Sequence, residues 1–328
     1  MSNIFYAGPF KDHLQNYVEL KQAIGYKYDT DANHLKRFDK FTLGKYPNAT
    51  VLTKEIVFDW CSKKNYEAQA NQCSRTSIIR QFAKYLDSIG VKAYIIPKGY
   101  YPTAKQYIPY IYSIDELARF FAETDKCRYC CECPYRHLIM PVIFRMIYMC
   151  GLRVSEARLL KVSDVDLKNG VLTIHHSKND NSRLVPMSDL LTEYCRKFSK
   201  KVHPHLVAED YYFPAIGGKP MTRVNLYHNF RRFLWHAKIS HGGRGCGPRT
   251  HDLRTTYAVH CLKKWAEQEK DLTVYLPVLK TYMGHNSFNE TAYYLHLTAD
   301  VFPDITLKME TRYPGIIPES KGDTNETY

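Results

Sequence analysis

Hydrophobic residues recur every three or four positions through residues 10–90, which is the spacing of one face of an α-helix. Four helices are predicted from this pattern. Their apolar positions are Leu14, Tyr17, Leu20 and Ile24, then Leu35, Phe38 and Phe41, then Ile56, Val57 and Trp60, and finally Ile78, Ile79, Phe82, Tyr85 and Leu86. Thr53 can cap the third helix, and Gly90 can end the fourth. The pattern therefore predicts a helical domain over residues 1–96.

The helical pattern stops at residues 97–112. This segment has no apolar period and contains Pro97, Gly99, Pro102 and Pro109, which favour turns and extended chain. We therefore predict a linker over residues 97–112, followed by a second domain over residues 113–312. The polar residues 313–328 are predicted to be disordered.

The second domain combines helices with two short strands. Residues 171–176 and 183–187 alternate between apolar and polar side chains, like two β-strands joined by a turn at residues 178–181. The predicted fold class is mainly α with a small antiparallel β-sheet, made of a helical domain and an α+β domain. Helical spacing marks the segments 114–122, 138–160, 190–203 and 225–239 and a further segment that begins at His251.

The charge of the chain indicates an anionic partner. Its 328 residues carry a formal net charge of +13. Such an excess favours a polyanion, most often nucleic acid, and the alternative is a soluble enzyme that is merely basic. The hydrophobic content of 45% is ordinary for a protein with a core.

No apolar segment near the N-terminus has the features of a secretory signal. The most apolar run, residues 137–150, contains Arg145 and is too short to span a bilayer. The chain has ten cysteines, and without a secretory signal these indicate reduced thiols. A cytoplasmic protein is therefore expected.

Four of these cysteines lie within seven residues of each other. Cys127, Cys130, Cys131 and Cys133 are followed by His137, and this spacing admits a zinc site. However, the cluster lacks the second, distant pair of ligands that structural zinc sites usually have. We therefore favour free thiols and expect no metal.

The residues best suited to catalysis begin at His251. His251 and Arg254 are three positions apart in a predicted helix, so they share a face. Tyr294 follows His285 by nine positions, which would place the two on opposite sides of an unbroken helix. A break, with a new helix capped within residues 286–289, would return Tyr294 toward His285. Two imidazoles, a guanidinium and a phenol at one place suit chemistry on a phosphodiester.

Arg153 lies at a predicted junction between two helices, among apolar neighbours. An arginine that is at least half-buried needs an anionic partner, which is either Glu156 or a bound phosphate. Lys178 lies in the predicted turn between the strands, and taken alone it indicates only an exposed turn lysine. Asp164 and Asp166 are predicted to be turn residues rather than ligands of paired magnesium ions.

Five short matches carry a resemblance to a known family. They are Arg153 within G-L-R-V-S-E, Lys178 in the turn, H-D-L-R at residues 251–254, G-H at residues 284–285, and Tyr294. Their order and spacing over residues 113–297 resemble the catalytic domain of the tyrosine recombinase (phage integrase) family. The helical domain over residues 1–96 is similar to the core-binding domain of that family, which binds DNA.

The resemblance implies a role for each matched residue. Tyr294 is the implied nucleophile, because the family places this tyrosine nine residues after the histidine of G-H; the neighbouring Tyr293 does not fit. Arg153 and Arg254 are implied to clamp the scissile phosphate. The other implied roles are catalytic for His251, His285 and Lys178, and supporting for Glu156.

The family links its tyrosine to a 3′ phosphate of DNA and releases the 5′ oxygen, which Lys178 would protonate to give a free 5′ hydroxyl. The resemblance thus implies a site-specific recombinase or integrase acting in integration, excision or transposition of DNA. The alternatives are DNA relaxation like that of a type IB topoisomerase, and a non-catalytic architectural DNA-binding protein.

The implied partners are double-stranded DNA and further copies of the chain, expected as a tetrameric synapse. No membrane, cofactor or metal is implied. The basic residues expected to contact DNA are Arg75, Arg80, Lys84, Arg183, Arg231 and Arg232. A row of charges on a helix is also explained by a solvated face.

Overall fold

The computed structural model describes residues 4–103, 107–175, 182–243, 247–301 and 311, with residues 299–301 described by their backbone alone. Contacts divide the chain into two units, Met1–Gln106 and Tyr107–Tyr328. The division falls within the segment 97–112 that the sequence marks as a linker. The residues 313–328, predicted to be disordered, lie outside the described residues.

The first unit contains four α-helices. They are α1 Lys11–Ala23, α2 Asp29–Lys45, α3 Lys54–Cys61 and α4 Gln69–Ser88. Thr53 caps α3, because its hydroxyl accepts a hydrogen bond from the amide of Ile56. Leu20 and Ile24, which the spacing placed on the apolar face of α1, are exposed. The side of α1 that packs toward α2 and α4 is instead formed by Leu14, Tyr17 and Val18.

The second unit is helical apart from one small sheet. Its helices are α5 Ile114–Asp125, α6 Arg136–Met149, α7 Val154–Leu159, α8 Asp189–Val202, α9 Arg223–His236, α10 Asp252–Glu267, α11 Leu272–Met283 and α12 Phe288–Val301. Ser113 caps α5, and Glu116 completes the capping box. No helix within the described ranges is both long enough and apolar enough to cross a lipid bilayer.

The sheet has three antiparallel strands in the order β1 (Val165–Asp166), β2 (Val171–Ile174) and β3 (Arg183–Pro186). The β2–β3 register pairs Val171 with Pro186 and Ile174 with Arg183. The predicted fold class, mainly α with a small antiparallel sheet, is therefore confirmed. Asp166 was predicted to lie in a turn, but it ends β1, and its carboxylate accepts the amide hydrogens that begin the turn to β2.

Two apolar clusters position the elements of the second unit. The first surrounds α6, which is buried along most of its length and packs against α5, α8 and α10. The second joins α10, α11 and α12 through side chains that include Val259, Leu262, Leu279, Met283 and Leu295. Because α10 carries His251 and Arg254 at its start and α12 carries Tyr294, this second cluster fixes the candidate catalytic residues relative to each other.

Candidate active site

Arg153 lies where the chain passes from α6 into α7. Gly151 precedes it with a φ of +57°, and a Cβ atom there would lie 2.7 Å from both the Met283 sulfur and the Tyr257 ring. Glycine is therefore needed for this close turn. Arg153 immediately precedes α7 and keeps 17% of its side chain exposed, so it borders solvent at the edge of the site.

Glu156, in the first turn of α7, is the carboxylate that pairs with Arg153, Arg183 and Arg254. Its side chain is only 4% exposed. Its Oε1 accepts hydrogen bonds from Arg153 Nη1 at 2.8 Å and from Arg183 Nη1 at 3.0 Å. Its Oε2 accepts from the Arg153 amide at 2.8 Å and from Arg183 Nη2 at 2.9 Å, and Arg254 Nη1 lies 3.8 Å away.

The charge state of Glu156 follows from these contacts. Burial alone would raise the pKa of the carboxyl group. The hydrogen bonds and charge of Arg183, the Arg153 amide and the charge of Arg254 outweigh burial and lower this pKa to about 2. The carboxylate is therefore ionised at neutral pH.

Arg254, in the first turn of α10, is almost fully buried, with 1% of its side chain exposed. Its Nη1 donates to the carbonyl of Gly151 at 2.6 Å. Its Nη2 donates to the carbonyl of Met283 at 2.6 Å and lies 3.0 Å from Nε2 of His285. Burial lowers the pKa of Arg254 to about 10, so the guanidinium remains charged at neutral pH.

His285 connects Arg254 to α12. A guanidinium can only donate hydrogen bonds, so Nε2 of His285 accepts from Arg254. The neutral ring then carries its proton on Nδ1 and donates it to the Thr291 hydroxyl, 2.9 Å away. Burial and the charges of Arg254 and Arg153 lower the pKa of His285 to about 3, which keeps the ring neutral near pH 7.

Tyr294 returns to His285 because the helix breaks between them. α11 ends at Met283, Gly284 follows in the left-handed conformation with a φ of +66°, and α12 begins at Phe288. The centroids of the His285 and Tyr294 rings are 5.6 Å apart. The break predicted from the nine-residue spacing is therefore present.

The phenol of Tyr294 is buried next to Arg254. The residue is 5% exposed. Burial raises the pKa of Tyr294, while the charge of Arg254 and a hydrogen bond with its guanidinium act in the opposite direction. Tyr293 is half-buried and packs against the apolar cluster of α10, α11 and α12. The structure thus places Tyr294 at the arginine cluster.

His251 lies immediately before α10, and part of the residue is exposed to solvent while the surrounding protein desolvates the imidazole. Desolvation by the surrounding protein and the charges of Arg254 and Arg153 lower the pKa of His251 to about 4, although Glu156 acts in the opposite direction. The imidazole is therefore neutral at neutral pH. A neutral imidazole with access to solvent can accept a proton.

The remaining predicted residues have different positions. Lys178 lies outside the described residues. Arg183 was expected to contact DNA, but its side chain is 7% exposed and binds Glu156 and the carbonyl of Tyr282. Arg231 is half-buried on α9, and Arg232 is exposed there.

Of the three basic residues of α4 that were expected to contact DNA, two bind other groups of the first unit. Arg75 is buried, and its Nη2 lies 2.5 Å from the carboxylate of Glu67. This differs from the predicted contact with phosphates, because Glu67 already binds the Arg75 guanidinium. Arg80 donates to the carbonyls of Ile96 and Pro97. Lys84 is exposed, as a DNA contact or a solvated face requires.

The cysteine cluster is separate from this site. Cys127, Cys130, Cys131 and Cys133 are free thiols. In the part of the chain that the structure describes, no group of three or more His, Cys, Asp or Glu side chains is arranged to hold a metal ion.

Three features of the site were not identified from the sequence. Thr291, which orients His285, had no signal beyond its polar side chain. Arg183 was recognised as basic, but its carboxylate partner was not. The backbone carbonyls of Gly151, Met283 and Gly284, which hold the arginines, have no signature in residue type.

Comparisons with known proteins show the family of the chain. The sequence model of the phage integrase family matches residues 114–300, more than half of the chain. Integrase/recombinase y4rB of Sinorhizobium fredii (strain NBRC 101917 / NGR234) is 28% identical over 310 residues, which cover 93% of this chain and 98% of that protein. Tyrosine recombinase XerD of Proteus mirabilis is 30% identical over 161 residues, 48% of this chain and 47% of XerD.

A solved structure shares the fold. The Tn1549 transposon integrase in complex with transposon right end DNA superposes with a TM-score of 0.64 at 14% identity, over 92% of this chain and 99% of that chain. The family match, the relative of similar length and the shared fold agree with each other. The chain belongs to the phage integrase family of tyrosine recombinases, which cleave and rejoin DNA.

Proposed function

We propose that this chain is a site-specific recombinase that cuts and rejoins DNA through a bond between Tyr294 and a 3′ phosphate, in integration, excision or transposition. The observation that carries the proposal is the position of the Tyr294 phenol beside the Arg254 guanidinium, with the His285 ring centroid 5.6 Å from the phenol ring. Arg153 belongs to the same cluster through Glu156.

The cluster supplies positive charge where a phosphodiester needs it. Arg153, Arg183 and Arg254 surround the single carboxylate of Glu156, so positive charge is in excess. A phosphodiester carries one negative charge, and its transition state concentrates more charge on the non-bridging oxygens. Arginines held in place by the protein stabilise that charge without reorganisation, and losing one such donor costs about 3 kcal/mol.

The proposed first step exchanges one ester bond for another. The phenolic oxygen of Tyr294 forms a bond to phosphorus, and the bond from phosphorus to the 5′ oxygen breaks. We assign neutral His251 to accept the phenol proton, and Lys178 to protonate the leaving 5′ oxygen, as the family resemblance implies. A 5′ hydroxyl from another strand then reverses the step and reseals the DNA without ATP.

A base is needed because the phenol is protonated in the free protein. An unperturbed tyrosine has a pKa near 10. Burial raises the pKa of Tyr294 further. The low pKa of His251, about 4, keeps that imidazole available as an acceptor at neutral pH.

We propose double-stranded DNA as the partner, which the net charge of +13 supports. In this proposal residues 1–96 bind DNA, residues 97–112 form the linker, and residues 113–312 carry the chemistry. The chain would act in the cytoplasm as a homo-oligomer, expected as a tetrameric synapse on DNA.

A denaturation-resistant adduct tests the proposal. The full-length protein is incubated with nicked duplexes tiled across the DNA that flanks its gene, and with sheared, lightly nicked genomic DNA from the cell that carries the gene. A nick beside the scissile bond releases a short strand and traps the covalent intermediate. The wild type and Tyr293→Phe should form an adduct that survives detergent, and Tyr294→Phe should form none.

Three other outcomes are informative. No wild-type adduct on any of these DNA samples contradicts the proposed enzyme. An adduct that persists in Tyr294→Phe and is lost in Tyr293→Phe contradicts the choice of nucleophile. Relaxation of a supercoiled plasmid without recombinant product supports the topoisomerase alternative.

A further inference from the structure

The C-terminal end of α11 holds three arginines at once. The carbonyl of Tyr282 accepts from Arg183 Nε at 2.8 Å. The carbonyl of Met283 accepts from Arg254 Nη2 at 2.6 Å, and that of Gly284 from Arg153 Nη2 at 3.1 Å. The last carbonyls of a helix have no partner within the helix and carry the negative end of its dipole, so cations are stabilised there.

Arg183 differs from the other two arginines in how it is used. All three of its nitrogens donate to protein groups: Nε to Tyr282, and Nη1 and Nη2 to the two oxygens of Glu156. Its side chain is 7% exposed, against 17% for Arg153. The planar fork of an arginine suits this bidentate geometry, and a lysine cannot reproduce it.

The space around Arg183 is closely filled. A Cβ atom added at Gly284 would lie 2.8 Å from Arg183 Nη1, and Gly284 has the positive φ that glycine adopts without strain. Arg183 is therefore packed between Glu156 on α7 and the last turn of α11. It is also the first residue of β3 and pairs with Ile174 of β2, and Lys178 lies between these two strands in the sequence.

We propose that Arg183 is a positioning residue that fixes Glu156 against the end of α11 and so sets the directions of Arg153 and Arg254 for the phosphate. This inference deepens the proposed function and rests on it. Arg183 acts through Glu156, which accepts two hydrogen bonds from Arg153, and through the α11 carbonyls that hold Arg153 and Arg254. It also ties the β2–β3 strands to the arginine pair.

The test compares Arg183→Lys and Arg183→Met with Arg145→Lys and Arg145→Met in the full-length protein. Arg145 is a matched control because both of its Nη atoms bind the carboxylate of Asp125 at 2.7 Å, and its side chain is 11% exposed. It donates hydrogen bonds to Thr124, Asp125 and Pro141, none of which belongs to the arginine cluster. Both pairs of variants should lower the unfolding temperature, so stability alone does not separate them.

Three measurements separate positioning from a structural role: the rate of adduct formation at saturating nicked duplex, the DNA affinity by gel shift, and hydrogen exchange of the Arg153 amide. That amide donates to Glu156 and reports where the carboxylate lies. Both Arg183 variants should slow adduct formation about 10- to 100-fold, the range for loss of a group that orients an active-site residue. They should keep wild-type DNA affinity and speed exchange of the Arg153 amide. The Arg145 variants should keep the wild-type adduct rate, the wild-type DNA affinity and the wild-type exchange of that amide.

The contrary results are distinct. An adduct rate equal to the wild type in Arg183→Met, or reduced equally in Arg145→Met, overturns the inference. A weaker DNA affinity with an unchanged rate makes Arg183 a DNA contact instead. If the wild type forms no adduct, the proposed function fails, and unchanged exchange of the Arg153 amide in Arg183→Met then overturns the positioning role independently.

Discussion

Replacing Glu156 by glutamine removes a buried charge and keeps the size of the side chain. Both carboxylate oxygens of Glu156 accept hydrogen bonds from Arg153 and Arg183, and Arg254 Nη1 lies 3.8 Å away. A glutamine amide would point two donor hydrogens at groups that can only donate. The arginine cluster would also lose its counter-ion in a buried place, which costs stability.

The loss of folding stability in Glu156→Gln can be worked out from the pKa of the Glu156 carboxyl group. The folded value of about 2, against an ordinary value of 4.5, corresponds to about 3 kcal/mol of stabilisation by the ionised form. Removing one partner of a buried ion pair costs about 3–5 kcal/mol in measured cases, which agrees. In a unit of this size the unfolding temperature should fall by about 6–12 °C.

The same shift sets the pH dependence. The folded pKa lies below the unfolded one, so the stabilisation is complete above about pH 4.5 and is lost as the pH falls through about 2. The stability gap between the wild type and Glu156→Gln should therefore shrink to about half near pH 3.

Urea unfolding measures this gap. A Trp60→Phe background leaves Trp235 and Trp265 as fluorescent reporters of the second unit. Asp125→Asn is the control, because that carboxylate is 46% exposed and its loss should cost less than about 1 kcal/mol. A cost for Glu156→Gln no larger than that of Asp125→Asn, or a stability gap that does not shrink in acid, would show that the ionised Glu156 carboxylate does not stabilise the arginine cluster.

Two further predictions concern the histidines. Thr291→Val removes the hydroxyl that accepts the His285 Nδ1 proton, so it should slow adduct formation about tenfold and leave the DNA affinity unchanged. Thr291→Ser keeps a hydroxyl and should form the adduct at the wild-type rate. Equal rates in the wild type and both variants would contradict this prediction. At limiting DNA, the adduct rate should stay level as the pH is lowered through 6.5 and should fall only near pH 4, where His251 of the DNA-free protein gains its proton. A fall centred near pH 6.5 would contradict this prediction.

Local signals predicted the framework of the site well. The spacing of His251 and Arg254 placed them together at one helix start, and the nine-residue interval to Tyr294 required the break that Gly284 provides. Thr53 caps its helix as predicted. These features depend on residues close in sequence, so the spacing contains the information.

The partners of the arginines could not be predicted in the same way. Arg183 and Glu156 are 27 positions apart and meet only when β3 packs beside α7 and α11. The carbonyls that hold Arg254 belong to Gly151 and Met283, and a carbonyl is present in every residue. Tertiary packing also decided which side of α1 is buried.

The bond between protein and DNA tests the proposed mechanism most directly. The detergent-resistant adduct is isolated, digested with protease and nuclease, and sequenced by mass spectrometry. We predict one modified peptide, with a nucleotide joined through its 3′ phosphate to Tyr294, and a free 5′ hydroxyl on the released strand. A nucleotide on Tyr293 or on any other residue, or a link through a 5′ phosphate, would contradict the proposed mechanism.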